Sequence, residues 1–256
     1  MSTWALQTAV DLDRANLHLG ALEDAGLLGI VEEDGRAALH FPARVEGLPL
    51  DGAWEELPDT DWHAAFRASV RPITIGPLTI VPPELGEPSA GTLVIDMAQA
   101  FGTGHHETTT GCLAALLELD LAGRRVLDVG TGTGLLAIAA AKLGAAVVVG
   151  CDTDPLAIAA AQANAARNGV ELALHLGSVE AVAPGTFDVV VANIDTTTLA
   201  RLARELVARL GPGSSLVASG VSIARRGEAI GAFAAAGLPV ADRAGREWVV
   251  LTARKS

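Results

Sequence analysis

Three glycines that alternate with small residues, directly after a short apolar run, constrain this chain more than any other feature. The apolar run of residues 126–129 leads into Gly130, Gly132 and Gly134, and an alanine-rich segment follows over residues 135–142. Glycine lets the backbone turn sharply and lets a ligand lie against bare peptide, while unpaired helix N–H groups face that ligand. The stretch therefore predicts a strand, a tight turn and a helix that together hold a ligand.

The next predicted strand ends in a carboxylate. Residues 145–152 form an apolar run closed by Asp152, which lies 22 residues after Gly130. An acidic side chain at this position can accept hydrogen bonds from both ribose hydroxyls of a nucleoside cofactor. A tight turn without a ligand is the alternative, and the agreement of strand, glycines, helix, strand and terminal acid argues against it.

Two classes of nucleoside cofactor fit this arrangement. Gly132, Gly134 and Ala137 satisfy the loose dinucleotide pattern, with an acid 20 residues beyond the first of them. Against a dinucleotide, a buried carboxylate at Asp128 would lie poorly beside a pyrophosphate at the same turn. That carboxylate suits a ligand that is cationic there, such as the amino and sulfonium groups of S-adenosyl-L-methionine. The pattern from Asp128 to Gly134, with Asp152 on the next strand, resembles the signature of class I methyltransferases.

The composition indicates a folded chain with a large core. Of 256 residues, 50% are hydrophobic and 19% are charged, which argues against extended disorder. The first residues lack the layout of a signal peptide, and no apolar run approaches the ~18 residues of a membrane span. Cys112 and Cys151 lie in apolar patterns, which favours core thiols in a reducing compartment over a disulfide or metal pair. We therefore expect a cytoplasmic chain, without a membrane partner, that acts as a monomer.

Acidic residues concentrate near the start of the chain. Residues 1–60 contain three arginines and twelve acidic residues, so they carry −9 of the net charge of −12. A field of that sign repels nucleic acid and attracts basic proteins. We expect no direct contact with nucleic acid. A solvated acidic surface kept for solubility is the alternative.

The pattern divides the chain into a small α+β domain (residues 1–56), a connector with a short helix (residues 57–71) and a main domain (residues 72–256). The predicted elements of the small domain are a strand, an amphipathic helix and two hairpin strands around Asp34-Gly35, over residues 4–10, 13–25, 27–31 and 36–41. The connector helix is predicted over residues 62–70.

Strands alternating with helices predict a mostly parallel α/β sheet in the main domain. A final antiparallel hairpin around Ala244-Gly245 matches the seven-stranded, Rossmann-like sheet of class I methyltransferases. Within this domain, Gly211-Pro212-Gly213 is predicted to close a helix over residues 196–210 and to precede a strand over residues 214–219.

A second loop, over residues 100–109, precedes a helix that is predicted to run to about Leu119. Its glycines and threonines can fold over a ligand and then cap the helix. His105, His106 and Glu107 suggest a metal, but adjacent residues on a helix point in different directions and no third ligand follows at i+4. We interpret them as polar loop and helix-start residues and expect no metal.

Four blocks together are similar to the methyltransferases of protein eleven of the large ribosomal subunit, the PrmA family. They are Phe-Gly-Thr-Gly-His-His-Glu-Thr-Thr (101–109), Leu-Asp-Val-Gly-Thr-Gly-Thr-Gly (127–134), Gly-Cys-Asp-Thr-Asp-Pro (150–155) and Val-Val-Ala-Asn (190–193). The resemblance covers about residues 93–195, and more weakly the acidic region and the last strand. It departs at Met97-Ala98, where the family usually has Pro-Gly.

The resemblance implies S-adenosyl-L-methionine as the cofactor. The candidate cofactor contacts are Phe101, Thr109, Asp128, Gly130, Gly132, Asp152, Ser178 and Asn193. The resemblance itself carries over the residues at 109, 130, 152 and 193. Ser178 follows a predicted strand and would reach the adenine, with a plain loop as the alternative. The resemblance also implies that the N-terminal domain recognises the ribosomal protein, a basic partner, and that the connector lets this domain swing.

Asn193 is the candidate catalytic residue. Ligands bind beyond the carboxyl ends of such strands, so its amide lies where the transferable methyl is expected and its oxygen would orient an amine. A role as a strand-end turn residue is the alternative. The implied reaction is attack by a neutral lysine or N-terminal amine, with alignment and desolvation supplying the rate and no dedicated base. Phe101, Ile194 and Trp248 are candidate substrate contacts, with core packing as the alternative for the two aromatic residues.

Three other functions stay open at this stage. The first is a class I methyltransferase of another protein or of a small molecule. The second is a nicotinamide-dependent oxidoreductase, which Asp128 and the lack of a catalytic signature disfavour. The third is a non-catalytic adaptor that holds a basic partner on the acidic domain.

Overall fold

The computed structural model describes residues 3–10, 14–15, 18, 22, 25–33, 35–57, 72–96 and 106–256. The chain divides into two compact units, residues 1–68 and 69–256. The connector helix, Phe101, His105 and Met97-Ala98 lie outside the described residues, as does most of the helix predicted over residues 13–25. In the part of the chain that is described, no helix is both long and apolar enough to cross a membrane.

The first unit contains a four-stranded antiparallel sheet. Its strands are β1 (Thr3–Thr8), β2 (Gly29–Glu33), β3 (Arg36–Phe41) and β4 (Gly52–Leu57), in the order β2-β3-β1-β4. The predicted hairpin is confirmed, since β2 and β3 pair up to Glu33 and Arg36 and Gly35 adopts a φ of 74°. Strand β4 was not predicted. It forms an edge of the sheet, where most of its side chains are exposed and therefore show no alternation of apolar residues.

A seven-stranded sheet is the frame of the second unit. Its strands are β8 (Arg125–Val129), β9 (Val147–Asp152), β10 (Ala173–Leu176), β11 (Phe187–Asn193), β12 (Leu210–Ser222), β13 (Ala241–Ala244) and β14 (Trp248–Arg254). They lie in the order β10-β9-β8-β11-β12-β14-β13, in which β14 is antiparallel to both of its neighbours and the other six strands run in one direction. This is the sheet that the sequence predicts, and it brings the ends of β8, β9 and β11 side by side.

Five helices accompany this sheet: α1 (Glu107–Leu117), α2 (Leu135–Lys142), α3 (Pro155–Arg167), α4 (Thr196–Ala208) and α5 (Arg226–Ala235). Buried side chains of α1 and α2 pack with the sheet in one apolar cluster, and those of α4 and α5 pack with it in a second. Asp154 caps α3, because its side chain accepts a hydrogen bond from the amide of Leu156 (2.8 Å) and Pro155 follows it at the first helical position.

A small three-stranded sheet precedes α1. It consists of β5 (Ile73–Ile75), β6 (Leu78–Val81) and β7 (Thr92–Val94), with a short 3₁₀ helix at Pro83–Leu85. Two buried side-chain amides at the end of α3 hold β7 and the residues after it: Asn168, the C-terminal cap of α3, exchanges hydrogen bonds with the backbone of Val94 (2.9 and 2.7 Å), and Asn164 accepts from the amide of Asp96 (2.9 Å). Asn164 also donates to the carbonyl of Thr133 (3.0 Å), so α3 fixes the glycine loop as well.

One prediction about β12 was wrong. The segment Gly211-Pro212-Gly213 does not separate a helix from a strand, because α4 ends at Ala208 and β12 already begins at Leu210. The pairing with β11 shifts between Phe187↔Leu210 and Val189↔Ser215, so the extra residues form a bulge. Glycine and proline are tolerated at bulges, which is why a helix-ending turn and a bulged strand have the same composition.

Candidate functional site

The glycine loop between β8 and α2 has a backbone conformation that residues with a side chain rarely adopt. Gly130, Gly132 and Gly134 have φ values of 73°, 53° and 81°. A Cβ atom at Gly130 would also collide with the Cγ2 atom of Ile194, and one at Gly134 would lie 3.1 Å from Ala161. The loop therefore needs glycine both for its left-handed conformation and for close packing.

Asp152 holds this loop in place through its carboxylate. Its Oδ2 atom accepts a hydrogen bond from the amide of Gly132 (2.9 Å), and its Oδ1 atom accepts one from the amide of Asp154 (3.0 Å). The carbonyl of Cys151 accepts from the amide of Gly130 (2.9 Å), so the loop is docked on the end of β9. Each carboxylate oxygen retains acceptor capacity, which a pair of ribose hydroxyls can use.

A cavity of about 290 Å³ opens at the carboxyl ends of β8, β9 and β11. Six of the predicted site residues line it together: Gly130, Gly132, Asp152, Ser178, Asn193 and Ile194. Seven further lining residues were not among the predicted site residues: Val129, Cys151, Thr153, Gly177, Asp195, Thr198 and Leu202. Asp195 caps α4 just after the predicted strand end, which is the signal that could have found it, whereas Thr198 and Leu202 lie further along that helix.

The cap of α4 contributes a second carboxylate to this cavity. Asp195 accepts a hydrogen bond from the amide of Thr198 (3.0 Å). Hydrogen bonds from Thr198 hold the pKa of the Asp195 carboxyl below its usual range. The cavity wall on this side is therefore anionic near neutral pH.

Asp128 does not line the cavity but is buried next to the loop. Asp128 is 1% exposed, and its Oδ2 atom accepts a hydrogen bond from the hydroxyl of Thr131 (2.8 Å). Burial raises the pKa of the Asp128 carboxyl to about 7, although Thr131 and the backbone of Ala137 oppose the shift. Its Oδ1 atom has no hydrogen-bond partner among the described residues. A nearby cation would stabilise the ionised form.

Asn193 presents a free acceptor at the end of β11. Its amide nitrogen donates to the hydroxyl of Thr109 in the first turn of α1 (3.2 Å), which fixes the orientation of the side chain. Its Oδ1 atom is buried and has no hydrogen-bond partner in the described part of the chain. An unpaired buried acceptor costs about 1–3 kcal/mol, so a ligand that donates a hydrogen bond here is favoured. Thr109 itself is buried and reaches the site only through Asn193.

Trp248 lies beside α1 and not in the wall of this cavity. Its ring packs edge to face on His106, with 4.9 Å between ring centroids. With Glu107 it lines a second cavity, of about 350 Å³, between α1 and the β13–β14 hairpin. The side chain of His106 caps α1 at the amide of Thr108. Among the described residues no group of three potential ligands is placed to hold a metal ion.

The strand order, the glycine turn after β8 and the acid that ends β9 define a class I methyltransferase, and the unpaired acceptors at Asp128 and Asn193 suit a cationic ligand. A family model described as ribosomal protein L11 methyltransferase (PrmA) matches residues 27–256. The chain belongs to this family. The predicted fold class and family are thereby confirmed, as is S-adenosyl-L-methionine as the cofactor of the chain.

Full-length relatives and a solved structure agree with this assignment. The chain is 40% identical to the ribosomal protein L11 methyltransferase of Deinococcus radiodurans, over 95% of this chain and 96% of that protein. It is 40% identical to the protein of the same name from Thermus thermophilus, over 97% and 98% of the two chains. The crystal structure of ribosomal protein L11 methylase from Lactobacillus delbrueckii subsp. bulgaricus matches with a TM-score of 0.68 and 31% identity, over 73% of this chain and 100% of that chain.

Proposed function

We propose that this chain transfers methyl groups from S-adenosyl-L-methionine to lysine side-chain or N-terminal amines of ribosomal protein L11. The names of the relatives supply the protein substrate. The observation that supports an amine acceptor is the buried Oδ1 atom of Asn193 at the cavity wall, which has no hydrogen-bond partner in the part of the chain that the structure describes. A neutral amine can donate one N–H group to this oxygen while its lone pair faces the methyl group that is transferred.

The cofactor contacts follow from the positions of the lining residues. Bare backbone at Gly130 and Gly132 would admit the methionine part of the cofactor, Asp152 would accept hydrogen bonds from the ribose hydroxyls, and Ser178 would contact the adenine. When bound, S-adenosyl-L-methionine supplies an electrophilic methyl group on a positively charged sulfur. Asp128, which is buried beside the loop, balances positive charge on the cofactor when it is ionised.

The residues of the chain contribute mainly orientation and exclusion of water. Asn193, fixed by its hydrogen bond to Thr109, directs the amine, and Ile194 forms an apolar part of the wall. A drier pocket and a nearby sulfonium lower the pKa of the amine, so its proton leaves to solvent before attack without a dedicated base. Trp248 and Phe101 are proposed to contact the aliphatic part of the acceptor side chain.

The acidic N-terminal unit is proposed to hold the protein substrate. Four exposed acidic residues lie on β4 or on the segment before it: Glu46, Asp51, Glu55 and Glu56. Their charge attracts a basic protein and repels nucleic acid. We further propose that the enzyme acts as a monomer in the cytoplasm, which agrees with the two buried, free thiols of Cys112 and Cys151.

Methyl transfer to purified ribosomal proteins tests this function. The chain is incubated with L11, and separately with other basic ribosomal proteins, in the presence of cofactor labelled in its methyl group. We expect label in L11 alone, and mass spectrometry of its peptides is expected to place the label on lysine or N-terminal nitrogen. Label on another protein, or on a side chain other than an amine, contradicts the proposal.

A matched pair of charge changes tests the docking surface. The change Glu55→Lys with Glu56→Lys on β4 is expected to raise the KM for L11 by about tenfold at low salt, with kcat and cofactor affinity unchanged, because steering acts on encounter. The control is Glu171→Lys with Glu84→Lys, which alters net charge equally in the second unit. An equal rise in KM for both pairs would show that net charge, and not the N-terminal surface, governs recognition.

A further inference from the structure

Helix α1 is bonded to the terminal hairpin, β13 and β14, at both of its ends. At its N-terminal end, the carboxylate of Glu107 accepts hydrogen bonds from the backbone amides of Arg246 and Glu247, the second at 3.1 Å. Beyond its C-terminal end, the carboxylate of Glu118 accepts two hydrogen bonds from the guanidinium of Arg243, at 2.7 and 3.1 Å. The same two elements are therefore joined by two carboxylates with different partners.

The turn of the hairpin is shaped around the carboxylate of Glu107. A Cβ atom at Gly245 would collide with the Oε1 atom of Glu107, so a side chain there would displace the end of this carboxylate. The turn is also bonded to the end of β12, because Ile223 donates its amide to the carbonyl of Glu247 (2.9 Å). Amides of the turn hold the pKa of the Glu107 carboxyl below its usual range. The carboxylate therefore joins α1 to a turn that is fixed to the sheet.

Only the N-terminal bond lies in the turn of α1 that contains Thr109, the partner of Asn193. His106, next to Glu107, packs on Trp248, and Thr109, two residues further, accepts the hydrogen bond that orients Asn193. The second bond, at Glu118, lies after the far end of the same helix, where its side chain and that of Arg243 are 57% and 64% exposed. Exposed pairs of this kind contribute little to stability.

We propose that Glu107 is a positioning residue, which holds the first turn of α1 on the hairpin so that Thr109 directs the amide of Asn193 toward the acceptor amine. This inference depends on the role of Asn193 given under Proposed function. Glu107 touches neither reactant in this account, and it acts through the chain Glu107, Thr109 and Asn193. The bond at Glu118 supplies an internal control, since it joins the same elements at the end of α1 that is far from Thr109.

The first test compares Glu107→Ala with Glu118→Ala in the full chain. We expect Glu107→Ala to lower kcat for methyl transfer to L11 by about tenfold, because small displacements of an orienting group have large effects on rate. Glutamine at position 107 keeps one acceptor oxygen and is expected to recover part of that loss. Glu118→Ala is expected to leave kcat unchanged, and neither variant is expected to change cofactor affinity, measured by calorimetry, by more than about threefold. An equal loss of kcat in both variants would overturn the proposal.

A double-mutant cycle separates positioning from general loosening. If Glu107 acts through Asn193, adding Glu107→Ala to Asn193→Ala should lower kcat by less than about twofold beyond Asn193→Ala alone. A full further tenfold loss would contradict the proposal. Should Asn193→Ala itself retain normal turnover, the proposed role of Asn193 fails, and this inference with it. If Asn193→Ala is impaired while Glu107→Ala is not, the positioning inference alone is wrong.

Discussion

The two halves of the site differ in how completely the protein satisfies its own polar groups. On the cofactor side, both oxygens of Asp152 accept backbone amides, and the loop that carries Gly130 is docked on the carbonyl of Cys151. On the acceptor side, Asn193 has a bonded nitrogen and a buried oxygen without a partner among the described residues. The cofactor half is thus bonded by the chain itself, whereas the acceptor half has an acceptor that a ligand can satisfy.

This difference suits a reaction that proceeds by alignment. A preformed cofactor half holds the methyl group in one place, and an unpaired acceptor selects a group that can donate a hydrogen bond there. The acceptor half is held by few hydrogen bonds. Loss of the bond between Thr109 and Asn193, or of those that Glu107 accepts, is therefore expected to lower kcat. Changes in the cofactor half are therefore expected to alter cofactor affinity, and changes in the acceptor half are expected to alter kcat.

The largest effect is expected from Gly130→Ala. The new methyl group would meet Ile194 in a backbone conformation with a φ of 73°, so the loop or the cavity wall must move. We expect cofactor affinity to fall by about 100-fold or more. The control is Gly169→Ala, with a φ of 63° and open space around it, which should lower stability by about 1 kcal/mol without weakening binding. Equal affinities in both variants would show that the loop is not tightly packed.

Asn193→Ala addresses the acceptor half. Loss of the orienting oxygen is expected to lower kcat on L11 by about 100-fold, the usual effect of removing one preorganised polar group. Cofactor affinity should stay within about threefold, because Asp152 and the glycine loop keep their own bonds. Steady-state kinetics and calorimetry on the same preparation check both statements. A loss confined to affinity would reverse the assignment of the two halves.

Asp152→Ala is expected to have a smaller effect, and to lower cofactor affinity instead of kcat. Removing the carboxylate deprives the ribose of its acceptor and frees the amide of Gly132, so affinity for S-adenosyl-L-methionine should fall by about tenfold to 50-fold. At saturating cofactor, kcat is expected to recover to within about threefold of the parent chain. If kcat remains low when the cofactor saturates, Asp152 also affects the alignment of the methyl group, and the comparison between the halves becomes less sharp.

The sequence predicts the cofactor half well because local rules determine it. Gly130, Gly132 and Asp152 follow the ends of two strands, and parallel strands bring such ends to one edge of the sheet. The bounds of α2 also agree with the prediction, since this helix is a continuous apolar run that follows the glycines. Where chemistry and local pattern coincide, the chain can be interpreted without coordinates.

Other features depend on distances that no local pattern contains. Leu202 reaches the cavity from the second turn of α4, and Asp128, expected at the ligand, is instead buried behind Thr131. Edge strand β4 has no alternation because most of its side chains face solvent. The unpaired oxygen of Asn193 is a property of its neighbours, so only the folded chain reveals it.

The smallest expected effect is a dependence of the free energy of unfolding on pH, caused by Asp128. Burial raises the pKa of this carboxyl from 3.8 to about 7, so ionisation opposes folding. Its contribution to stability is fully present below the ordinary pKa and is lost as the pH rises toward about 7. Asp128→Asn should abolish that slope, measured as the free energy of unfolding in urea at a series of pH values.

Cofactor binding is expected to act on the same titration with the opposite sign. A cationic ligand favours the ionised carboxyl, so binding below about pH 7 should release a proton, and affinity should rise severalfold between about pH 6 and pH 8. Calorimetry in buffers of different ionisation enthalpy measures that proton. Asp128→Asn should bind without it and with a flat pH dependence. If the parent protein and the Asp128→Asn variant release the same number of protons, another group titrates, and Asp128 only bonds Thr131.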